Sequence, residues 1–434
     1  MTLVSILRRT TRRCLAAGAG ALLALGGAVG AQERPGVRVG LLYGERDAKP
    51  GILVLPVAGA GGDSVRAILA RDLDFGDRVA VLPASATLGA PAAGAALNYA
   101  LAARLGARGV VQATLRGAQL EVVLHDVAQR KVVDRTAYPL PAPANGAAWR
   151  RALHVASDAL EEVITGTKGI AATRVAFVHE GRIWAIDSDG ANAAPVAGTR
   201  AVSPAWSPAG DALAYAELEA AGSSIRVADL RGGSRVVVPP QGLNVSPAWA
   251  PDGRGIAYAH GMDLGTDLWL APAGGGRGVR IALGRGSDNT SPTFSPDGQR
   301  IAFTSGRAGK PDVYIADADG TNVDALAALS RDGADYRASP DWSPDGRAIA
   351  FQARLDGRFQ VMVATLRDRA VTQLTREGVN EDPSWAPDAR HVVVASTRSG
   401  QRQLWVVDTE SGRARQLTRL AGARLPAWSP RLPR

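Results

Sequence analysis

The chain has 434 residues, 46 % hydrophobic and 21 % charged, close to soluble globular averages. This excludes disorder over most of the length, which requires low hydrophobicity and high net charge. The net charge of +9 comes from 50 basic and 41 acidic residues. All but four of the basic ones are Arg, and no run of five or six marks a nucleic-acid surface.

Arg8, Arg9, Arg12 and Arg13 precede an apolar stretch, Leu15 to Val29, that ends in the small residues Ala28-Val29-Gly30-Ala31. The stretch is shorter than the roughly 20 residues of a membrane span. The pattern is that of a secretory signal peptide over residues 1–31, cleaved after Gly30 or Ala31. Thr11-Arg12-Arg13-Cys14-Leu15 also resembles a twin-arginine signal, second to the general export route. Cys14 is the only cysteine and leaves with the signal. The mature chain therefore carries no disulfide, thiol nucleophile or Cys-based metal site, although its compartment permits disulfides.

Residues 32–165 read as a small α/β domain. Ile52 to Pro56 and Val79 to Leu82 are short strands, and Asp63 is placed to cap a helix from Ser64 to about Leu73. Ala95 to Leu105 reads as a helix ended by Gly106. Val110 to Leu115 and Gln119 to Asp126 form a hairpin around Arg116-Gly117-Ala118, and Lys131 to Tyr138 adds a strand. Trp149 to Ile164 is a helix, with Leu153, Ala156, Leu160, Val163 and Ile164 at helical spacing. Gly59-Ala60-Gly61-Gly62-Asp63 faintly suggests a phosphate loop, but it lacks the Gly-Lys-Ser ending and reads better as a turn and cap.

Residues 166–434 carry a repeat. Its forms are Ser203-Pro204-Ala205-Trp206-Ser207-Pro208, Ser246-Pro247-Ala248-Trp249-Ala250-Pro251, Ser291-Pro292-Thr293-Phe294-Ser295-Pro296, Ser339-Pro340-Asp341-Trp342-Ser343-Pro344, Asp382-Pro383-Ser384-Trp385-Ala386-Pro387 and Leu425-Pro426-Ala427-Trp428-Ser429-Pro430. The aromatic anchors are 43, 45, 48, 43 and 43 residues apart. A period of about 40–50 residues with several strands per unit is that of a propeller blade. Pro and Gly after the anchor set a tight turn, as in Ser343-Pro344-Asp345-Gly346. The first blade has Ala209 where Asp is usual, and the fifth has Ala389 where the turn Gly is usual. The unit from Arg174 to Val196 lacks its own anchor, and Trp428 is followed by only six residues. The C-terminal strand is therefore expected to complete that unit, giving an all-β six-bladed propeller with no open edge. The anchor rings are expected between neighbouring blades.

Enzyme readings are weak. No Gly-x-Ser-x-Gly elbow sits in a strand-to-helix setting, and no hydrolase domain follows the propeller. His125, His154, His179, His260 and His391 have no partners at metal-ligand spacing and read as polar surface or satisfied core residues. Asp288, Glu381 and Asp382 at the channel mouth offer oxygen ligands of the kind Ca²⁺ takes, against an ordinary solvated rim. No catalytic, cofactor-binding or metal residue is assigned.

The junction between the two regions carries a family resemblance. The helix Ala152 to Asp158, the link Ile164-Thr165-Gly166-Thr167-Lys168-Gly169 and the strand Thr173 to Val178 resemble the signature helix, Thr-Gly-x-x-Gly link and first propeller strand of the TolB family. His125-Asp126-Val127, the segment Asn98 to Val111 and the ending Pro426-Ala427-Trp428-Ser429-Pro430 are similar to the same family, so the likeness covers roughly residues 33–434. It departs at Gln32 to Gly51, which fits the family poorly. The resemblance implies a non-enzymatic periplasmic scaffold of the Tol-Pal system, a monomer peripheral to the outer membrane. The propeller would bind the lipoprotein Pal and the N-terminal region would contact TolA, maintaining outer-membrane integrity and supporting constriction at division. Loops leading into the Trp motifs are the implied partner site, with Asn244, Asp288, Asn289, Thr290, Arg337, Glu381 and Asp382 as its residues. The rival readings are an exported small-ligand sensor, a hydrolase-associated propeller, and a TolB-like paralogue with another protein partner.

Overall fold

The computed structural model describes residues 49–83, 96–262, 265–284, 288–326 and 334–432. All of them belong to the compact unit Val39–Arg434. The signal-peptide reading, the Gln32 to Gly51 departure up to residue 48, and Ala95 lie outside the described residues. Among the described residues no helix is long and apolar enough to cross a membrane.

The N-terminal region is a five-stranded sheet with helices on both faces. Its elements are β1 (Gly51–Val54), α1 (Gly62–Phe75), β2 (Ala80–Leu82), α2 (Tyr99–Arg104), β3 (Gly109–Arg116), β4 (Gln119–Asp126), β5 (Lys131–Pro139) and α3 (Ala147–Thr165). The strand order is β2-β1-β3-β4-β5, with β1 parallel to β2 and β3 and the rest antiparallel. Alternating strand residues feed two cores. Ile52, Val54, Val111 and Leu124 meet Val65, Leu69, Leu73, Leu153, Leu160 and Ile164 of α1 and α3. Leu53, Leu55 and Val110 meet Ala102 on the α2 side. Two expectations are corrected. Asp63 does not cap α1: the helix starts at Gly62 behind a left-handed Gly61, with no side-chain cap. A Cβ on Gly62 would run into the Val57 carbonyl, so close approach of the helix start to the loop after β1 explains that glycine. The second helix is shorter than expected, because Asn98 caps it by accepting from Leu101 N at 3.0 Å.

Six four-stranded antiparallel sheets follow. The five continuous blades begin at Ala201, Leu243, Asn289, Arg337 and Asn380. The sixth is composite: Arg424–Trp428 pairs with Arg174–His179, followed by Arg182–Asp187 and Ala194–Ala197. Ser429 N donates to Arg174 O at 2.8 Å, and Arg174 N donates to Ser429 Oγ at 3.0 Å. The chain is thus closed by its last strand, as the missing first anchor predicts.

Each innermost strand carries the anchor motif and a register shift at the residue before Pro. Ser203, Ser246, Ser291, Ser339, Asp382 and Leu425 all have φ between +50° and +54°. A pre-proline residue avoids the right-handed helical region. Here the extra residue of a bulge turns left-handed instead and bends the strand at the channel. The turns after the anchors explain their composition. Ser295 Oγ donates to Asp297 at 2.5 Å and accepts from Arg300 N at 2.9 Å. In the first blade, where Ala209 replaces Asp, Ser207 Oγ donates to Asp211 at 2.7 Å instead.

Candidate functional site

The innermost strands run the same way, so the propeller has two distinct ends. One end carries the loops that enter the innermost strands. The other carries the turns that follow the anchors. Between them runs a channel with a cavity of about 420 Å³. It is lined by the bulge residues, their prolines and the anchor rings.

Neighbouring blades are stitched at the channel wall. Trp206 Nε1 donates to Ala427 O at 3.0 Å, Trp249 Nε1 to Ala205 O at 3.2 Å and Trp385 Nε1 to Asp341 O at 3.1 Å. Trp428 departs from this pattern and donates to Thr173 Oγ1 at 2.8 Å, tying the last anchor to the entry of the first strand. Polar residues before the anchors add a second stitch. Asp341 accepts from Trp385 N at 2.7 Å, and Ser384 Oγ accepts from Trp428 N at 3.0 Å. Burial pushes the Asp341 and Asp382 carboxyls up to about 6, against the backbone N–H groups they accept from. The anchors therefore both join blades and line the channel.

The expected partner residues gather at the loop end but divide by exposure. Asp288 is exposed and accepts from Thr266 N at 3.3 Å, while Thr290 and Glu381 are half-buried. Glu381 pairs with Arg402 at 2.6 Å. Asp382 lies deeper, on the channel wall, with its N–H donating to Gln352 Oε1 at 2.9 Å. Asn244, Asn289 and Arg337 are buried, each bonded to the third strand of the preceding blade, and offer no surface to a partner. Asn244 donates to Ser223 O at 2.6 Å and accepts from His260 at 2.7 Å. Asn289 donates to Asp267 at 3.1 Å, and Arg337 pairs with Asp312 at 3.1 Å. Their side chains hold the loops that carry the exposed residues. Asn380, not singled out from sequence, is a fourth member of this set: it is fully buried and donates to Gln360 Oε1 at 3.0 Å. The signal was its place two residues before the pre-proline position, shared with Asn244, Asn289 and Arg337. Asp288, Glu381 and Asp382 do not come together as one cation cluster among the described residues.

The α/β region sits on the turn end, against the fifth and composite blades. Asp388 lies in the fifth blade's turn, Asp408 ends its third strand, and Asp189 lies in the composite blade's turn. Arg413 reaches Asp77 at 2.8 Å and Asp74 at 3.0 Å, and Arg415 reaches Asp77 at 3.0 Å. Arg390 pairs with Asp408 at 2.6 Å and donates to Asp77 O at 3.2 Å. Arg71 and Arg150 both bond Asp189. Phe75 stacks on His391, ring centroids 5.9 Å apart, with the Arg415 guanidinium 5.1 Å from the same Phe75 centroid. The link itself is tied to α3: Asp158 accepts from Ala171 N at 2.6 Å and Ala172 N at 3.1 Å. A Cβ on Gly169 would sit 2.5 Å from Asp158 Oδ1, so the second glycine of the link is imposed by this packing. Burial pushes Asp158 up to about 6 and Glu161 up to about 8, the latter against the pull of Arg78.

Residues 161–432 match the model of the TolB beta propeller domain family. The chain is 30 % identical over 226 residues to the Tol-Pal system protein TolB of Xylella fastidiosa (strain M12), covering 48 % of this chain and 50 % of that protein. It is 32 % identical over 213 residues to the Tol-Pal system protein TolB of Nitrosococcus oceani, covering 45 % and 48 %. It thus spans about half the length of the curated relatives it matches. The crystal structure of TolB from Acinetobacter baumannii superposes with a TM-score of 0.77 at 25 % identity, covering 88 % of this chain and 97 % of that one. A propeller with this repeat, closed by its own C-terminal strand behind a small α/β region, belongs to the TolB family.

Proposed function

We propose that this protein is a non-enzymatic periplasmic scaffold of the Tol-Pal system. Its propeller binds the lipoprotein Pal, and its N-terminal region signals to TolA. The role is to maintain outer-membrane integrity and support envelope constriction during division. The observation that carries this reading is likeness to a TolB structure across both regions, 88 % of this chain and 97 % of that one. Many propellers share Ser-Pro-Asp-Gly turns; the α/β region ahead of them and the Asp158-bound link are more particular. In this reading residues 1–31 are the export signal, 32–165 the α/β domain and 166–434 the propeller.

The loop end is the Pal face. Asp288, Thr290 and Glu381 make the contacts, while Asn244, Asn289 and Arg337 act from inside by fixing the loops. The α/β region occupies the opposite end, so a signal between the two partners must cross the blades. Coupling then requires two states that differ in affinity for Pal.

Calorimetric titration of the mature protein with Pal from the same cell tests this. The expected result is saturable binding at micromolar or tighter, about −8 kcal/mol or better. Asp288→Ala and Glu381→Ala should weaken it with the fold intact. Absence of binding between two folded proteins would overturn the reading in favour of a paralogue with another partner.

A further inference from the structure

His154 and His391 are related by an exchange across the joint. Both are 2 % exposed. Each turns Nδ1 to a carboxylate of its own region: His154 to Asp72 at 2.7 Å, His391 to Asp388 at 2.8 Å. Each aims Nε2 at a carboxylate of the other region: His154 at Asp189, 3.5 Å away, and His391 at Asp77, 3.8 Å away. Neither Nε2 has a hydrogen-bond partner of standard geometry. The α/β region thus lends one ring to the propeller, and the propeller lends one back.

A neutral imidazole donates from one nitrogen and accepts at the other. Between two carboxylates it would set a lone pair against an anion. Only the imidazolium serves both sides. We propose that His154 and His391 are a pair of imidazolium pins that lock the α/β region to the turn end of the propeller. Loss of their protons at alkaline pH releases the joint while each region stays folded. This does not rest on the Pal and TolA reading and stands or falls separately from it.

The surroundings agree. Facing His391 are Asp388 and Asp408 from the fifth blade and Asp77 and Glu161 from the α/β region. Arg390, Arg78, Arg413 and Arg415 pair with those carboxylates rather than with the ring. Facing His154 are Asp72 from α1 and Asp187 and Asp189 from the composite blade, with Arg71 and Arg150 on Asp189. Burial alone would lower both rings, but the carboxylates override it. His391 is pushed up to about 9, and His154 also moves upward. A raised His contributes its full share below the unfolded value near 6.5 and loses it as pH rises through the folded value. For His391 the contribution is therefore lost from about 6.5 upward, ending near 9. The groups Asp72–His154–Asp189 and Asp77–His391–Asp408 also have ligand atoms within 4.8 Å of one another. A divalent cation there would have to displace guanidiniums from Asp189 and Asp77, so a proton is the better occupant.

Small-angle scattering and circular dichroism of the whole protein, from pH 7 to 10, provide the test. The expected result is a rise in radius of gyration with the β signal unchanged. The double variant His154→Gln/His391→Gln should be expanded already at pH 7 and show no alkaline step. Glu161 titrates in the same window, pushed up to about 8. Glu161→Gln should therefore keep the step, and its loss in that variant would overturn the proposal. If the double variant does not fold, NMR titration of the wild-type histidines decides. His154 or His391 titrating at or below the free-imidazole value near 6.5 overturns the pins; both rings titrating above it supports them. A Zn²⁺-induced rise in melting temperature in the wild type, absent in a folded single variant, would also overturn the proton reading.

Discussion

Blade contacts in the propeller and the joint beneath it are built from opposite chemistry. Between blades the contacts are chiefly apolar side chains and ring N–H groups on backbone carbonyls, with local polar stitches such as Arg337–Asp312 and Asn289–Asp267. Ala302 and Val313 meet Trp342, Ile349 and Phe351 of the next blade in one such core, and Ala350 and Val361 meet Trp385 and Val392 in another. At the joint, by contrast, carboxylates, guanidiniums and two imidazoles share one buried network. The first arrangement spreads stability over many equivalent contacts. The second concentrates it, because a buried charge left alone costs more than the pair contributes.

The largest effect should come from opening the ring. Deleting residues 424–434 removes Trp428 and the strand that pairs with Arg174–His179. The loss should exceed the roughly 3–5 kcal/mol that one core Trp accounts for. Calorimetry should show a broadened transition at lower temperature. A sharp transition near the wild-type temperature would mean that the blades fold independently of closure.

Next is the joint. Arg390 and Asp408 are both buried, and Arg390→Ala leaves that carboxylate without its main partner. We expect a loss of about 3–5 kcal/mol in denaturant unfolding. Trp385→Phe is the matching change in the propeller. It removes one neutral hydrogen bond to Asp341 O and should cost about 1 kcal/mol. Equal costs would mean that the joint and the blade contacts hold the molecule by the same means.

Acid should also separate the two. Burial would raise Asp77 and Asp388, but the His391 ring that faces both overrides it, with Arg413 and Arg415 helping at Asp77. Both carboxyls are held well below the usual range. A depressed carboxylate contributes above its unfolded value, near 3.9, and loses that contribution as pH falls below it. The joint should weaken below about pH 4. Asp388→Asn should flatten that dependence, as read by acid unfolding monitored at the tryptophans.

The same contrast decides what the sequence made legible. A periodic structure writes itself into the chain: six anchors, their turns and the missing first anchor led directly to six blades closed by the last strand. The α/β strands and α3 were legible from alternation and helical spacing. The α1 start was not, because contact with the Val57 carbonyl rather than a cap decides it. Asn244, Asn289 and Arg337 were visible as polar residues at loop entries, but polarity alone does not tell a buried strut from an exposed contact. His154 lies 82 residues from Asp72, and His391 lies 314 from Asp77, so no local spacing could pair them. The link glycines were visible only as a motif. Their cause, the seat of Asp158 against the chain at Gly169, needs three dimensions.

One turn belongs to both regions, and the smallest change probes it. Four of the turns after the anchors place Gly at φ +69° to +74°, namely Gly210, Gly253, Gly298 and Gly346. The fifth places Ala389 at φ +56°. An L-residue in that conformation costs about 1–2 kcal/mol, whereas Gly adds about 0.5–1 kcal/mol of unfolded-chain entropy. If the turn answers only to the blade, Ala389→Gly should stabilise by up to about 1 kcal/mol. Its neighbour Asp388, however, is the partner of His391 and a member of the joint. A more mobile turn would let that carboxylate move off the ring. Destabilisation by Ala389→Gly, together with a lowered His391 titration in the same variant, would show that the departure from the repeat is retained to hold Asp388 in place.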